Sequence, residues 1–178
     1  SRITKIMGLV GILERETLHF KINKMADLQK FVESLLEAEF EEFYPLSGGA
    51  SADIYNITLK NGKRFVLRKT PENSESRLAI TKKIESKVQK IVKKNDIPVP
   101  LIIKEFDESS GVGSGYVMEF ILGETIPRKI LRDEKFAQIR PNLTYRIGEI
   151  LAKIHRTDLS EIKELEKMTF YDSLNKLY

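Results

Sequence analysis

The residues best suited to chemistry fall in one stretch of the chain: the run Gly48-Gly49-Ala50-Ser51, then Val66 and Arg68 two positions apart, then Glu85. A glycine pair followed by small residues lets backbone N–H groups approach an anion such as a phosphate chain with no side chain in the way. Arginine is protonated at any physiological pH and meets phosphate oxygens with a planar fork of donors. A carboxylate beside it would hold that fork in place. Each member also has an ordinary reading. Glycine pairs are common in turns before strands, Arg68 could be an exposed strand charge, and Glu85 could pair at helical spacing with Gln89 or a lysine. The glycine run is not a P-loop, because no Gly-Lys-Ser/Thr follows it and no helix is expected to begin there.

Composition narrows the chemistry further. The chain has 178 residues, 41% of them hydrophobic and 31% charged, enough for one domain or slightly more with a real core. It contains no cysteine, which excludes thiolate nucleophiles, disulfide scaffolds, zinc fingers and iron–sulfur sites. His19 and His155 are the only imidazoles, so a metalloenzyme is disfavoured. The net charge of +4 is unevenly placed, residues 60–104 holding 13 basic and 4 acidic side chains. Such a block attracts nucleic acid or a polyanion such as a nucleoside triphosphate, or else it is a solvated lysine face. No apolar run reaches the roughly 18 residues of a membrane span, and Met7–Leu13 is short and lacks a small-residue cleavage site. A soluble, cytoplasmic protein without a membrane partner is expected.

The elements that must position these residues are legible from periodicity. Residues 1–25 show only weak alternation and read as an N-terminal extension. From Asp27, a good N-cap residue, Leu28, Phe31, Val32, Leu35, Leu36, Phe40 and Phe43 recur at helical spacing, predicting a helix that ends before Pro45. Residues 53–60 alternate as a half-buried strand through Tyr55, Ile57 and Leu59, and residues 64–69 supply a second strand. Asn61-Gly62 between them predicts a hairpin with a type I′ turn, which needs positive φ at both positions. Val66 and Arg68 then share one sheet face. After a loop at 71–75, the positions Ile80, Ile84, Val88, Ile91 and Val92 mark a second helix ending near Asn95, with Glu85 at the edge of its apolar stripe. Residues 101–106 and 116–121 read as two more strands joined by the glycine-rich turn 109–115. Helical patterns follow near 133–139, through Leu143, Ile147, Ile150, Leu151 and Ile154, and through Ile162, Leu165 and Met168. The expected fold class is α+β, a small antiparallel sheet with one packed helix, followed by helices.

In protein-kinase-type lobes a glycine turn covers the nucleotide phosphates, the strand after the hairpin carries a cation for them, and the next helix carries a carboxylate that holds this cation. Six segments occur here in matching order: Leu46–Ser51 (LSGGAS), Phe65–Arg68 (FVLR), Glu85, Ile97–Pro100 (IPVP), Tyr116–Gly123 (YVMEFILG) and Leu151–His155 (LAKIH). Over residues 43–158 the chain resembles the amino-terminal half of the aminoglycoside phosphotransferase family, which includes choline-kinase-like and homoserine-kinase-like enzymes. The resemblance implies a protein-kinase-like nucleotide-binding small lobe over residues 26–122 and the start of a helical large lobe over 123–178. It also implies an ATP- and Mg2+-dependent transfer of the γ-phosphoryl group to a hydroxyl of a small substrate. By this likeness Gly48, Gly49, Ala50 and Ser51 cover the phosphates, and Arg68 takes the place usually held by a lysine, with Lys69 as the alternative cation. Glu85 is then the helix carboxylate. Val66 would contact the base, Met118 would lie deep in the adenine pocket, and the backbone of Glu119, Phe120 and Ile121 would bond the base edge. His155 would be structural.

The family's catalytic loop, His-Gly-Asp with an Asn five residues beyond the Asp and a later Asp for magnesium, does not occur in these residues. Asp158 is followed at that distance by Lys163, and Asp172 has Asn175 only three residues on. The expectation is therefore a truncated kinase with an incomplete large lobe, its magnesium ligands outside this chain, and no turnover by these residues alone. The apolar positions from Leu143 to Ile154 would then stand exposed and favour a homodimer. Two other classes compete. A nucleic-acid-binding module would use Lys82, Lys83, Lys87, Lys90, Lys93 and Lys94, but these lie on several helix faces and no aromatic platform accompanies them. A non-catalytic interaction domain would keep the small lobe and use its bare face for a partner.

Overall fold

A computed structural model describes residues 23–46, 52–71 and 80–165. Its elements are α1 over residues 23–36, then β1 Phe40–Pro45, β2 Asp53–Leu59, β3 Arg64–Lys69, α2 Lys82–Lys94, β4 Ile102–Phe106, β5 Gly115–Glu119, α3 Pro127–Arg132 and α4 Arg140–Arg156. The strands form one five-stranded sheet in the order β1-β2-β3-β5-β4, and every neighbouring pair is antiparallel. The α+β class expected from sequence is the one observed.

The sheet is covered on both faces. On one, Leu28 and Val32 of α1 join Phe40, Ile57, Leu59, Leu67 and Val117 in a continuous buried cluster. Burial of each of these large side chains contributes about 1.5–3 kcal/mol relative to exposure. On the other face α2 packs over β4 and β5. In β2, Asn56 and Ile57 point to opposite faces and both are fully buried, Asn56 bonding Thr58 and Arg64.

Helix α1 differs from its sequence pattern at both ends. Asp27 lies inside the helix rather than capping it, and the helix stops at residue 36 instead of running on through Phe43. Glu37 takes a left-handed φ of 53°, and the Ala38 amide closes back on the Glu33 carbonyl at 3.1 Å, which ends the helix. Phe40 and Phe43 belong to strand β1, a fifth strand the spacing conceals. Residues three apart on a regular strand face opposite ways, but a register shift between Phe40 and Glu42 sets Phe40 against Leu59 and Phe43 against Ile57. This bulge restores both rings to the core face and so mimics helical spacing.

The β2–β3 hairpin forms as expected with a different turn. Gly62 alone has positive φ, at 79°, and Asn61 does not. The Gly62 amide donates to the Leu59 carbonyl at 2.9 Å, and the Leu59 amide donates to the Lys63 carbonyl at 2.9 Å. The loop is thus three residues closed by a glycine bulge rather than a two-residue type I′ turn. Helix α2 agrees closely with expectation: Thr81 caps it by accepting the Ile84 amide at 3.3 Å, and Asn95 ends it. Farther on, residues 133–139 hold only the short 3-10 turn Glu134–Phe136, preceded by α3, which the pattern did not predict. Ile162 and Leu165 sit in turns, and Met168 is outside the described residues. No residue of α4 is buried. Among the described residues no helix is long and apolar enough to cross a membrane.

Gly115 marks the tightest point of the sheet. A Cβ there would lie 2.6 Å from the Arg68 carbonyl oxygen, 2.7 Å from Phe106 Cζ and 2.9 Å from Lys69 Cα, whereas one at Gly123 would meet nothing within 4 Å. Gly115→Ala is expected to lose about 2 kcal/mol or more by overpacking, and Gly123→Ala to stay within about 0.5 kcal/mol. Urea unfolding midpoints of the two variants check this.

Candidate functional site

Alternation along β3 divides its side chains between two environments. Leu67 turns into the α1 core, and Lys69 follows it to that face. Val66 and Arg68 turn to the α2 side, where the antiparallel register sets them opposite Met118 and Tyr116 of β5. Val66, Arg68 and Met118, singled out from sequence, are thereby brought together. The cap at Thr81 starts α2 so that Lys82 and Glu85 fall one turn apart on the side facing the sheet.

Glu85 is the centre of this face. Arg68 Nε donates to its Oε1 at 2.6 Å, and the Tyr116 hydroxyl donates to the same oxygen at 2.9 Å. Lys82 Nζ donates to Oε2 at 2.6 Å. The pair is largely enclosed, with the Arg68 and Glu85 side chains 21% and 23% exposed. Lys82 and Tyr116 are buried, at 5% and 1%. Burial alone would push the Glu85 carboxyl up, but hydrogen bonds from Lys82, Tyr116 and Arg68 outweigh it and hold the group below its ordinary value. Burial, then the Glu85 charge, pushes the Tyr116 hydroxyl up, so it stays protonated and serves as a donor.

Further ties fix α2 on the sheet. Ser86 Oγ and Lys90 Nζ both bond the Glu105 carboxylate of β4. Gln89 Nε2 donates to the Pro100 carbonyl at 2.7 Å and lies 3.9 Å from Met118 sulfur. The other predicted positions fall as follows. Gly48, Gly49, Ala50 and Ser51 lie outside the described residues; the strands flanking them, β1 and β2, are antiparallel neighbours. Lys69, the alternative cation, sits on the opposite face from Arg68, with its nitrogen 3.8 Å from Asp53. Glu119 ends β5 and gives its amide to the Leu101 carbonyl at 2.9 Å. Phe120 lies beneath the Arg64 guanidinium, 3.7 Å from its ring centre, and Ile121 is 59% exposed. The amides of Phe120 and Ile121 donate to no backbone carbonyl among the described residues. His155 is exposed in the last turn of α4.

Two members of the site escaped the sequence reading. In the sequence Lys82 is one of six lysines spread over several faces of the helix, although its spacing of three from Glu85 is a usable signal. Tyr116 was visible only as the start of a strand, because its place opposite Arg68 depends on pairing between segments far apart in the chain. Of the remaining lysines, Lys87 pairs with Glu164, Lys90 with Glu105 and Lys93 with Glu119.

An antiparallel sheet whose third strand carries a cation, clasped by a carboxylate from the helix that follows, matches the small lobe of a protein-kinase-like fold. Residues 42–174 match the model of the phosphotransferase enzyme family, and the chain belongs to that family. The match agrees with the resemblance to aminoglycoside phosphotransferases and choline-kinase-like enzymes. No curated protein matches the chain significantly.

The shifted carboxyl makes the site pH-dependent. Glu85 ionises more readily folded than unfolded, so its stabilising contribution is complete above the ordinary carboxylate value of 4.5 and fades as pH falls through the lower folded value. Glu85→Gln, which leaves Arg68 and Lys82 facing each other without their carboxylate, is expected to cost about 2–3 kcal/mol at neutral pH, somewhat less than a fully buried pair that loses one partner. The gap between the two proteins should narrow on acidification. Urea titrations at neutral pH and at about pH 3 measure it, and a gap independent of pH contradicts the assignment.

Proposed function

We propose that this chain is the nucleotide-binding part of an ATP-dependent kinase that moves the γ-phosphoryl group to a hydroxyl of a small molecule. The observation that carries this reading is the 2.6 Å bond between Arg68 and Glu85 on the sheet face that also bears Val66 and Met118, in a chain of the phosphotransferase family. Glu85 orients the guanidinium before any ligand arrives, which lowers the cost of ordering it on binding. A planar guanidinium serves a carboxylate and a phosphate oxygen from one group, so arginine can fill the role of the more usual lysine. Val66 and Met118 offer an apolar surface to the base, and the amides of Phe120 and Ile121 offer donors to its edge. The run Gly48-Gly49-Ala50-Ser51 would supply backbone amides to the phosphates.

Magnesium is expected to accompany ATP, but the described residues contain no group of three His, Asp or Glu side chains placed for a metal. The 178 residues also contain no His-Gly-Asp sequence. Binding without turnover is therefore the expected behaviour of this chain.

Thermal unfolding with and without ATP tests the reading. Nucleotide at about 100 times its Kd should stabilise the fold by about 2.7 kcal/mol, and Arg68→Ala should weaken ATP about tenfold or more, as expected for a lost charge-assisted hydrogen bond. An ATP-independent melting temperature would overturn the proposal, and steady ADP release in a coupled assay would overturn the expectation of binding alone.

A further inference from the structure

We infer that Arg64 is a positioning residue for the base-binding segment: a clasp from β3 that holds Phe120, and with it the amides of Phe120 and Ile121, where the base edge of a nucleotide can meet them. The inference rests on the nucleotide reading above. The β3–β5 ladder reaches Glu119, paired with Phe65, and stops. Residues 120–126 belong to no helix or strand, although they follow directly from the strand that carries Met118 opposite Val66. Phe120 is next in register to Arg64, and the Arg64 guanidinium lies over its ring, 3.7 Å from the centre. A guanidinium at that distance is attracted to the ring face and stacks on it.

Arg64 is exposed, and a long exposed side chain ordinarily samples many rotamers. Here a row of side chains across the sheet aims it. A carboxylate only accepts, so Thr58 Oγ1 donates to Glu42 Oε2, at 3.1 Å. That leaves the lone pairs of the hydroxyl for Asn56 Nδ2, 3.1 Å away, and turns Asn56 Oδ1 toward Arg64, whose Nη2 donates to it at 3.0 Å. Asn56 is 0% exposed, so its amide is closed to a ligand and serves the protein alone. Asparagine is disfavoured in strands, and its burial is costly unless the amide is bonded. Its place in the middle of β2 is explained by the bond that steers Arg64 onto Phe120. A segment already set in place loses less freedom when a base docks. Arg64 thus acts on the base through Phe120, without touching it.

A double-mutant cycle on ATP affinity tests the clasp. Calorimetric titration of the 178-residue chain, Arg64→Gln, Phe120→Leu and the double variant should show each single change weakening ATP about fivefold, the worth of one cation–π contact. The double variant should bind no more weakly than either single one. Unchanged affinity in Arg64→Gln would overturn the inference. So would losses that multiply in the double variant, because a bare charge effect of Arg64 on the phosphates does not depend on the Phe120 ring. An unaltered chain that binds no ATP would instead sink the nucleotide reading itself and the positioning role with it. NMR of the unaltered chain without nucleotide gives a reading that depends neither on binding nor on a variant's folding. The Arg64 side-chain protons should carry the upfield shift of an aromatic ring beneath them, and signals at ordinary arginine positions overturn the clasp.

Discussion

Everything at the site depends on one carboxylate. Glu85 is charged in a place where burial opposes charge, and it stays charged because β3, β5 and α2 itself each aim a donor at it. The dependence is mutual. Without Glu85, Arg68 and Lys82 would meet as like charges and the first turn of α2 would lose its bonds to the two central strands of the site. A half-buried carboxylate with three donors is costly to assemble and specific once assembled.

The two helices that sandwich the sheet are held by different forces. Helix α1 contributes Leu28 and Val32 to a continuous apolar cluster, a contact that tolerates small slides as long as volume is filled. The buried residues of α2 are Lys82, Ser86 and Ile91, so only one is apolar. Its position is set by polar contacts along its length: Glu85 to Arg68 and Tyr116, Ser86 and Lys90 to Glu105, and Gln89 to the Pro100 carbonyl. Directional bonds fix rotation and register where apolar contact does not. The helix that carries Glu85 is thus the one held by the most directional contacts.

Strands β2 and β3 and helix α2 were legible because each carries an unbroken period and a clear punctuation mark, Asn61-Gly62 for the hairpin and Pro98 with Pro100 beyond the end of the helix. Strand β1 was not, because a bulge made two core phenylalanines three residues apart look like successive turns of a helix. Short helices failed for another reason. Helix α3 has six residues, too few to display a period, and its start is marked only by Pro127. At the site, Arg68 and Glu85 could be read from the order of elements, since each belongs to a role defined along the chain. Lys82 and Tyr116 could not, because their roles are defined across it: a basic run gives no reason to prefer one lysine, and strand register is settled by pairing rather than by local pattern.

The same division between local and long-range effects separates the sheet from α4. The sheet closes its own core, with α1 on one face and α2 on the other, and the three donors to Glu85 all come from residues up to β5. Helix α4 has 17 residues and none buried; Tyr145 is 71% exposed, Ile147 56%, Leu151 48% and Ile154 46%. A helix of that length draws little stability from propensity alone, and its contacts with the rest of the fold include a long bond from Lys153 to the Asp96 carbonyl at 3.4 Å. An exposed pairing of that kind adds little. Loosening α4 should therefore leave the three bonds to Glu85 intact, because Arg68, Lys82 and Tyr116 make them from β3, α2 and β5.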